Sequence, residues 1–262
     1  MNLNLQGKIV LVTGGSKGIG LACARAFAAE GARVAIASRS QENLRAAAAD
    51  LRKDGFEVLC VVADFIDPES ALAAVAQVEA ALGPIDVLVN SAGGAKRVLP
   101  AELNAQAWRA AMDAKYFSYV HAMDAALKSM VARRTGSIVN IIGAGGKVAS
   151  AMHLPGGAAN AALMLVSAGL ANAWGSHGIR VNAINPGATY TDRVKSALET
   201  ESRLTGKPEE ALLKANEARI PLGRYARPHE IANAALFLAS DCASYVTGAL
   251  IAMDGAVTPM VV

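Results

Sequence analysis

The chain has 262 residues, 53% hydrophobic and only 18% charged, which excludes a disordered polymer and allows one large buried core. Its formal net charge of +3 is spread along the sequence with no basic run denser than Arg133-Arg134, so nucleic acid is not an expected partner. Cys23, Cys60 and Cys242 are odd in number and lack metal-ligand spacing, so no disulfide frame and no metal site are expected, and the composition suits a reducing cytoplasm.

The first predicted element is a buried apolar strand, Ile9 to Thr13, with no signal peptide expected ahead of it. It stops at a glycine-dense turn, and an Ala-rich helical pattern, Leu21 to Glu30, begins at once. Strand, tight turn and helix make an anion site: the backbone can approach a pyrophosphate closely, and the helix N–H groups and positive dipole end face its charge. Gly14, Ser16, Lys17, Gly18, Ile19 and Gly20 are therefore candidate cofactor ligands, although their spacing departs from G-x-G-x-x-G.

The second strand, Arg33 to Ser38, precedes a helix over Gln41 to Lys53. A site that prefers NAD places an acid at this strand end to grip the ribose 2′-hydroxyl; here Ser38-Arg39 stands instead. Arg39 can pair with a 2′-phosphate and Lys17 can add a second positive charge, which points to NADP(H). The third strand, Val58 to Ala63, leads into Asp64-Phe65, a pair able to hydrogen-bond and flank an adenine, and then into a helix from Pro68 to Leu82. The fourth, Val87 to Asn90, runs into Ser91-Ala92-Gly93, where small residues let another backbone near the cofactor; Asn90, Ala92 and Gly93 join the candidates.

A long helix is predicted over Ala105 to Ala132, then a fifth strand, Ile138 to Ile142. The apolar stretch Ala158 to Trp174, interrupted by Asn160, Ser167, Gly169 and Asn172, is a poor membrane span and reads as a helix buried on two sides, such as one shared between subunits. A sixth strand, Arg180 to Asn185, is followed by a polar, helical excursion over 189–228, placed either to cover a substrate or to lie solvated on the surface. The last strand is Ala249 to Met253. Continuous hydrophobicity within these runs means burial on both faces. The expected fold is α/β, a single Rossmann-type doubly wound domain over 1–262 with about seven parallel strands flanked by helices.

Thr13-Gly14-x3-Gly18-Ile19-Gly20, Asp64, Asn90-x-Ala92-Gly93, Asn185-Pro186-Gly187, Val246-Thr247-Gly248 and Asp254-Gly255 occur in an order that resembles the motifs of the short-chain dehydrogenase/reductase family, across essentially the whole chain. The resemblance implies a Rossmann-type subunit, a homotetramer, and a nicotinamide held near Pro186, Gly187, Thr189 and Thr191.

Members of that family that reduce carbonyls carry a Ser, a Tyr and a Lys. The tyrosine donates a proton to the developing alkoxide, the lysine lowers its pKa and the serine helps bind the oxygen. Aligning Gly136-Ser137-Ile138-Val139-Asn140 and Ala161-Ala162-Leu163 with that pattern gives Gly143, Gly156 and Asn160 instead, and the asparagine carried on the preceding long helix is replaced by Ala114. Three readings follow. His153 donates the proton while Asn160 orients substrate or water, with Lys115 and Lys147 as further candidates weighed against the solvation lysines normally keep. Alternatively, hydride reaches an activated substrate without a strong side-chain acid. In the third reading the protein binds its cofactor without turnover, as a sensor, scaffold or inactive partner subunit, and Asn160-Ala161-Ala162-Leu163 is a packed helix start at a subunit interface. The expected function is NADP(H)-dependent hydride transfer to or from a small carbonyl, alcohol or activated double bond. The substrate would lie between Gly94 to Val98, Gly143 to Pro155 and the segment from Tyr190.

Overall fold

The computed structural model describes residues 2–94 and 97–260. Its centre is a seven-stranded parallel sheet in the order β3-β2-β1-β4-β5-β6-β7, with β1 at Ile9–Thr13, β2 at Arg33–Ser38, β3 at Val58–Val62, β4 at Val87–Asn90, β5 at Gly136–Ile141, β6 at Ile179–Pro186 and β7 at Leu250–Met253. Every residue of β1 and β4 is buried, as their unbroken apolar sequence requires of strands covered on both faces. One core layer packs Leu11, Leu88, Ile138 and Ala183 against helices α3 (Pro68–Leu82), α5 (Ser118–Arg133) and α6 (Leu154–Trp174). The other packs Val10, Val12, Val89 and Ile184 against α1 (Gly18–Ala29), α2 (Gln41–Lys53) and α9 (Pro228–Ala239).

The strand order reverses between β1 and β4, where Thr13 pairs with Asn90. At such a switch point the connections diverge to opposite faces and leave a crevice outside the strand carboxyl ends. Local chemistry sets the helix starts around it: Ser40 Oγ accepts from the Asn43 N–H, and Asp67 accepts from the N–H groups of Glu69 and Ser70 ahead of Pro68.

Two helix boundaries differ from expectation. Helix α1 begins at Gly18, so the last glycines of the turn lie inside its first turn. The helix predicted over Ala105 to Ala132 is α4 (Ala105–Ala111) joined to α5 through a π-helical turn, Met112–Phe117. The 189–228 excursion forms α7 (Asp192–Thr205) and α8 (Glu209–Glu217), pinned at its neck by Tyr190 and Ala226, whose N–H groups donate to the carbonyls of Ala226 and Ala188. Helix α6 is not buried on two sides within the chain, because Leu165 is 77% exposed. Among the described residues the segment Ala151–His177 is long and apolar enough to cross a membrane by length and composition, and 44% of its apolar window is buried inside the protein.

Candidate active site

The strand ends at the switch point are tied by a buried polar ladder. Thr13 Oγ1 donates to Asn90 Oδ1 (3.1 Å), Asn90 Nδ2 to Asn140 Oδ1 (2.9 Å), and Asn140 Nδ2 to Ser167 Oγ (2.9 Å). Asn90, expected among the cofactor ligands, is fully buried with its amide committed to this ladder, so its side chain positions the turn instead. Gly14 (φ +66°) follows β1, and a Cβ there would lie 2.7 Å from Ala92 Cα and the Ser91 carbonyl oxygen. The two turns can close on each other only without that side chain. Gly93 is tighter still, since its Cβ would meet the Ala114 carbonyl oxygen at 1.8 Å.

A cleft of about 460 Å³ opens between these ends, within the range of cofactor sites. Gly14, Ser16 and Lys17 form its floor, Ser38 and Arg39 with Asp64 its β2–β3 wall, and Ala92 and Gly93 its β4 side. Of the other turn residues, Gly20 is buried, Ile19 packs against the core, and Gly18 faces the Thr191 methyl. Asp64 uses one carboxylate oxygen on the Ile66 N–H, while Phe65, 3% exposed and packed in the core, also lines the cleft beside it.

Asn43, Ser118 and Arg193 also line the cleft and were not foreseen. Arg193 extends from the first turn of α7 until its Nη1 stands 2.8 Å from the Cβ position of Gly94. The signal was its place directly after Thr191-Asp192, in the segment the resemblance set beside the nicotinamide. Lys17, Arg39 and Arg193 thus face a cleft with the N-terminus of α1 at its floor, and no acid stands at the β2 end. That charge and shape fit a dinucleotide carrying an additional phosphate.

The segment after β6 approaches the turn from the other side. Gly187 packs where a Cβ would lie 2.7 Å from Asp254 Cα, Thr189 Oγ1 donates to the Gly187 carbonyl, and Thr191 reaches Gly18. Pro186, Gly187, Thr189 and Thr191 do not line the 460 Å³ cleft itself. Beside them Asn185 is fully buried, with neither amide atom partnered among the described residues.

Beyond β5 the expected catalytic residues meet. Gly143 has φ +131°, which L-residues rarely adopt, and a Cβ there would lie 3.3 Å from Asn160 Nδ2. A Cβ on Gly145 would stand 3.2 Å from His153 Cδ2 and 3.6 Å from Asn160 Nδ2, so His153 and Asn160 converge on one glycine floor. Asn160 is 6% exposed and packs on Gly143 to Gly146 of its own chain, while the next residue, Ala161, is exposed. The Val98 N–H donates to the Met152 carbonyl and joins two expected pocket segments; Ala95 and Lys96 lie outside the described residues. Burial, then Arg97 and Lys115, push the His153 pKa below its ordinary value, which favours the neutral ring. The Lys147 ammonium makes no hydrogen bond among the described residues.

The π-helical turn corrects two expectations. An inserted residue rotates the helix face. Ala114 lines the cofactor cleft, and the side chain that reaches the end of β5 is that of Lys115. Lys115 is 7% exposed rather than solvated; its Nζ donates to Tyr119 Oη (2.7 Å) and to the Ile141 carbonyl (3.0 Å), 4.3 Å from the Tyr119 ring centroid. Burial, then Arg193, push its pKa down to about 7. Burial raises the pKa of Tyr119, whose hydroxyl donates to the same Ile141 carbonyl.

Comparison with known proteins places this geometry. A family model described as enoyl-(acyl carrier protein) reductase matches residues 14–258. D-threitol dehydrogenase of Mycolicibacterium smegmatis is 37% identical over 257 residues, covering 98% of this chain and 95% of that protein. The structure of L-sorbose reductase from Gluconobacter frateurii, complexed with NADPH and L-sorbose, superposes with a TM-score of 0.95 at 30% identity over 100% of both chains. An NADPH-bound short-chain oxidoreductase from Pseudomonas aeruginosa, described as containing an atypical catalytic center, matches with a TM-score of 0.89 at 32% identity, covering 98% of this chain and 99% of that one.

Proposed function

The chain belongs to the short-chain dehydrogenase/reductase family, and from that premise we propose that it is an NADP(H)-dependent oxidoreductase acting on a small carbonyl, alcohol or activated double bond with a non-standard proton donor. The observation that carries the cofactor choice is the β2 end, where Arg39 and Lys17 line the cleft and no acid stands to hold a ribose 2′-hydroxyl. Arg39 and Lys17 would grip the 2′-phosphate, Ser16 and the N-terminus of α1 the pyrophosphate, and Asp64 the adenine. Pro186, Gly187, Thr189 and Thr191 would hold the nicotinamide. When bound, the cofactor supplies or accepts the hydride.

His153 and Asn160 would flank the substrate oxygen above Gly143 to Gly145. As a neutral imidazole His153 is a hydrogen-bond donor rather than a strong acid, and Asn160 orients the substrate or a water. The relatives named as D-threitol and galactitol dehydrogenases and L-sorbose reductase direct the first assays toward polyols and ketoses. Calorimetry with NADPH and NADH, followed by NADPH oxidation over ketoses, enones and 2-oxo compounds, tests the reading. Equal affinity for NADH removes the cofactor choice. Tight NADPH binding with no turnover favours a sensor, scaffold or inactive subunit, a reading supported by the backbone of Gly143, which is unsuited to a serine.

The proposal extends to a cytoplasmic homotetramer. Leu72, Val131, Leu170 and Trp174 line an apolar groove between α3, α5 and α6, and Leu165 is exposed on another face of α6, which suits a second copy of the chain. Sedimentation at the mass of a single 26.9 kDa chain would remove it.

A further inference from the structure

We propose that Lys115 is the acid–base group of this site, its ammonium giving a proton to the substrate oxygen in reduction and its amine taking one in oxidation. The inference rests on the hydride-transfer reading above and deepens it by naming the donor. Position comes first. Lys115 sits in the π-helical turn whose neighbours Ala114 and Ser118 line the cofactor cleft, and its Nζ is held at the carbonyl of Ile141, two residues before Gly143. The ammonium is thus held at the end of β5, where the glycine floor that carries His153 and Asn160 begins, and its charge is felt at His153.

Hydrogen-bond capacity comes second. An ammonium carries three N–H donors. Two are spent on Tyr119 Oη and the Ile141 carbonyl, and the third has no partner among the described residues. No carboxylate pairs with Lys115 among the described residues, although a buried lysine kept only for stability would ordinarily be ion-paired. The groups facing it are Tyr119 from its own helix, Arg193 from α7 and His153 from the segment before α6, while β5 offers only a backbone carbonyl. Burial and the Arg193 charge both favour release of its proton, and its pKa of about 7 suits an acid–base group near neutral pH. Tyr119 is fully buried with its own proton directed at Ile141, so it positions Lys115.

In reduction the substrate carbonyl carbon accepts a hydride, with its electron pair, from NADPH. The C–O π pair moves to oxygen, the Nζ–H bond of Lys115 breaks, and the proton passes to that oxygen. The products are an alcohol, NADP⁺ and a neutral amine, which water reprotonates. Oxidation runs the same steps backward.

Lys115→Met and Lys115→Arg in the full chain test the assignment. Arginine keeps the charge and the donors to Ile141 but cannot release its proton, so it distinguishes acid–base chemistry from a structural staple even where the methionine variant fails to fold. Both variants are expected to keep NADPH affinity and to lose about 100-fold or more in single-turnover reduction. In the wild type the reduction rate falls, and the oxidation rate rises, as pH climbs through about 7, and neither variant shows that inflection. Independently of turnover, ¹³Cε-lysine NMR of the cofactor-free protein should show one lysine titrating near 7, absent from both variants. Wild-type turnover with Lys115→Arg matching its rate and profile, or no lysine titrating below 9, overturns this proposal alone. A wild type that binds NADPH and reduces nothing overturns the hydride-transfer reading as well.

Discussion

Replacing Arg39 with alanine isolates the 2′-phosphate contact. The guanidinium stands exposed on the β2 wall of the cleft, with Lys17 on the floor, so removing it takes away one of the cations facing the phosphate and leaves the fold alone. A hydrogen bond to a charged group contributes about 1.5–3 kcal/mol. Solvent and salt screening at an exposed residue place Arg39 near the lower end, about 1.5–2 kcal/mol. At about 1.4 kcal/mol per decade, NADPH affinity should fall roughly 10- to 30-fold. NADH lacks the phosphate, and its affinity should change by less than about twofold on the same reasoning. Titration calorimetry of both cofactors at matched ionic strength measures the two constants, and raising salt should narrow the wild-type preference. An unchanged ratio of NADPH to NADH affinity in Arg39→Ala, or an equal loss for both, would refute the charge argument.

Gly93→Ala places a Cβ 1.8 Å from the Ala114 carbonyl oxygen at φ +80°, so about 1–3 kcal/mol of strain should appear as a lower melting temperature, together with weaker NADPH binding; an unaltered melt would show that the turn is looser than its geometry implies. His153→Ala should raise KM more than it lowers kcat and leave the inflection near pH 7 in place, because that inflection is assigned to Lys115. Disappearance of the inflection in this variant would transfer the proton to His153. Stability carries the same signature. The folded pKa of Lys115 lies below its unfolded value, so between about 7 and 10.5 the unfolded chain holds a proton that the folded chain lacks. Stability contributed by this site is therefore lowest below pH 7 and rises toward pH 10.5, by an upper bound on the order of 3–5 kcal/mol. Urea melts at pH 7 and pH 9.5 should show the wild type gaining on Lys115→Met; parallel behaviour would mean that Lys115 is not held at a lowered pKa.

The helices Gln41–Lys53 and Pro68–Leu82 occur where their sequences place them, because the caps Ser40 and Asp67 and the initial Pro68 act within one turn. Strand identity was equally legible, since a strand buried on both faces must be apolar throughout, and the glycine turn, Lys17 and Arg39 lie in the cleft because they sit at fixed offsets from strand ends. Side-chain direction was not legible. Asn90 has the right type at the right strand end, yet the ladder from Thr13 to Ser167 claims its side chain. The rotation introduced by Met112–Phe117 has no short-range marker, and it buried Lys115 where solvation was expected.

From its sequence alone this chain determined a doubly wound parallel sheet and the phosphate-binding end of its cleft, because caps, glycine turns and unbroken apolar runs act over a few residues. Only the tertiary structure decided what stands at the catalytic end. Arg193 comes to Gly94 from a helix far along the chain, and Lys115 is buried at Ile141 by a π-helical turn packed against α6. Whether a charge is solvated or desolvated depends on what packs around it, and that is a property of the assembled fold.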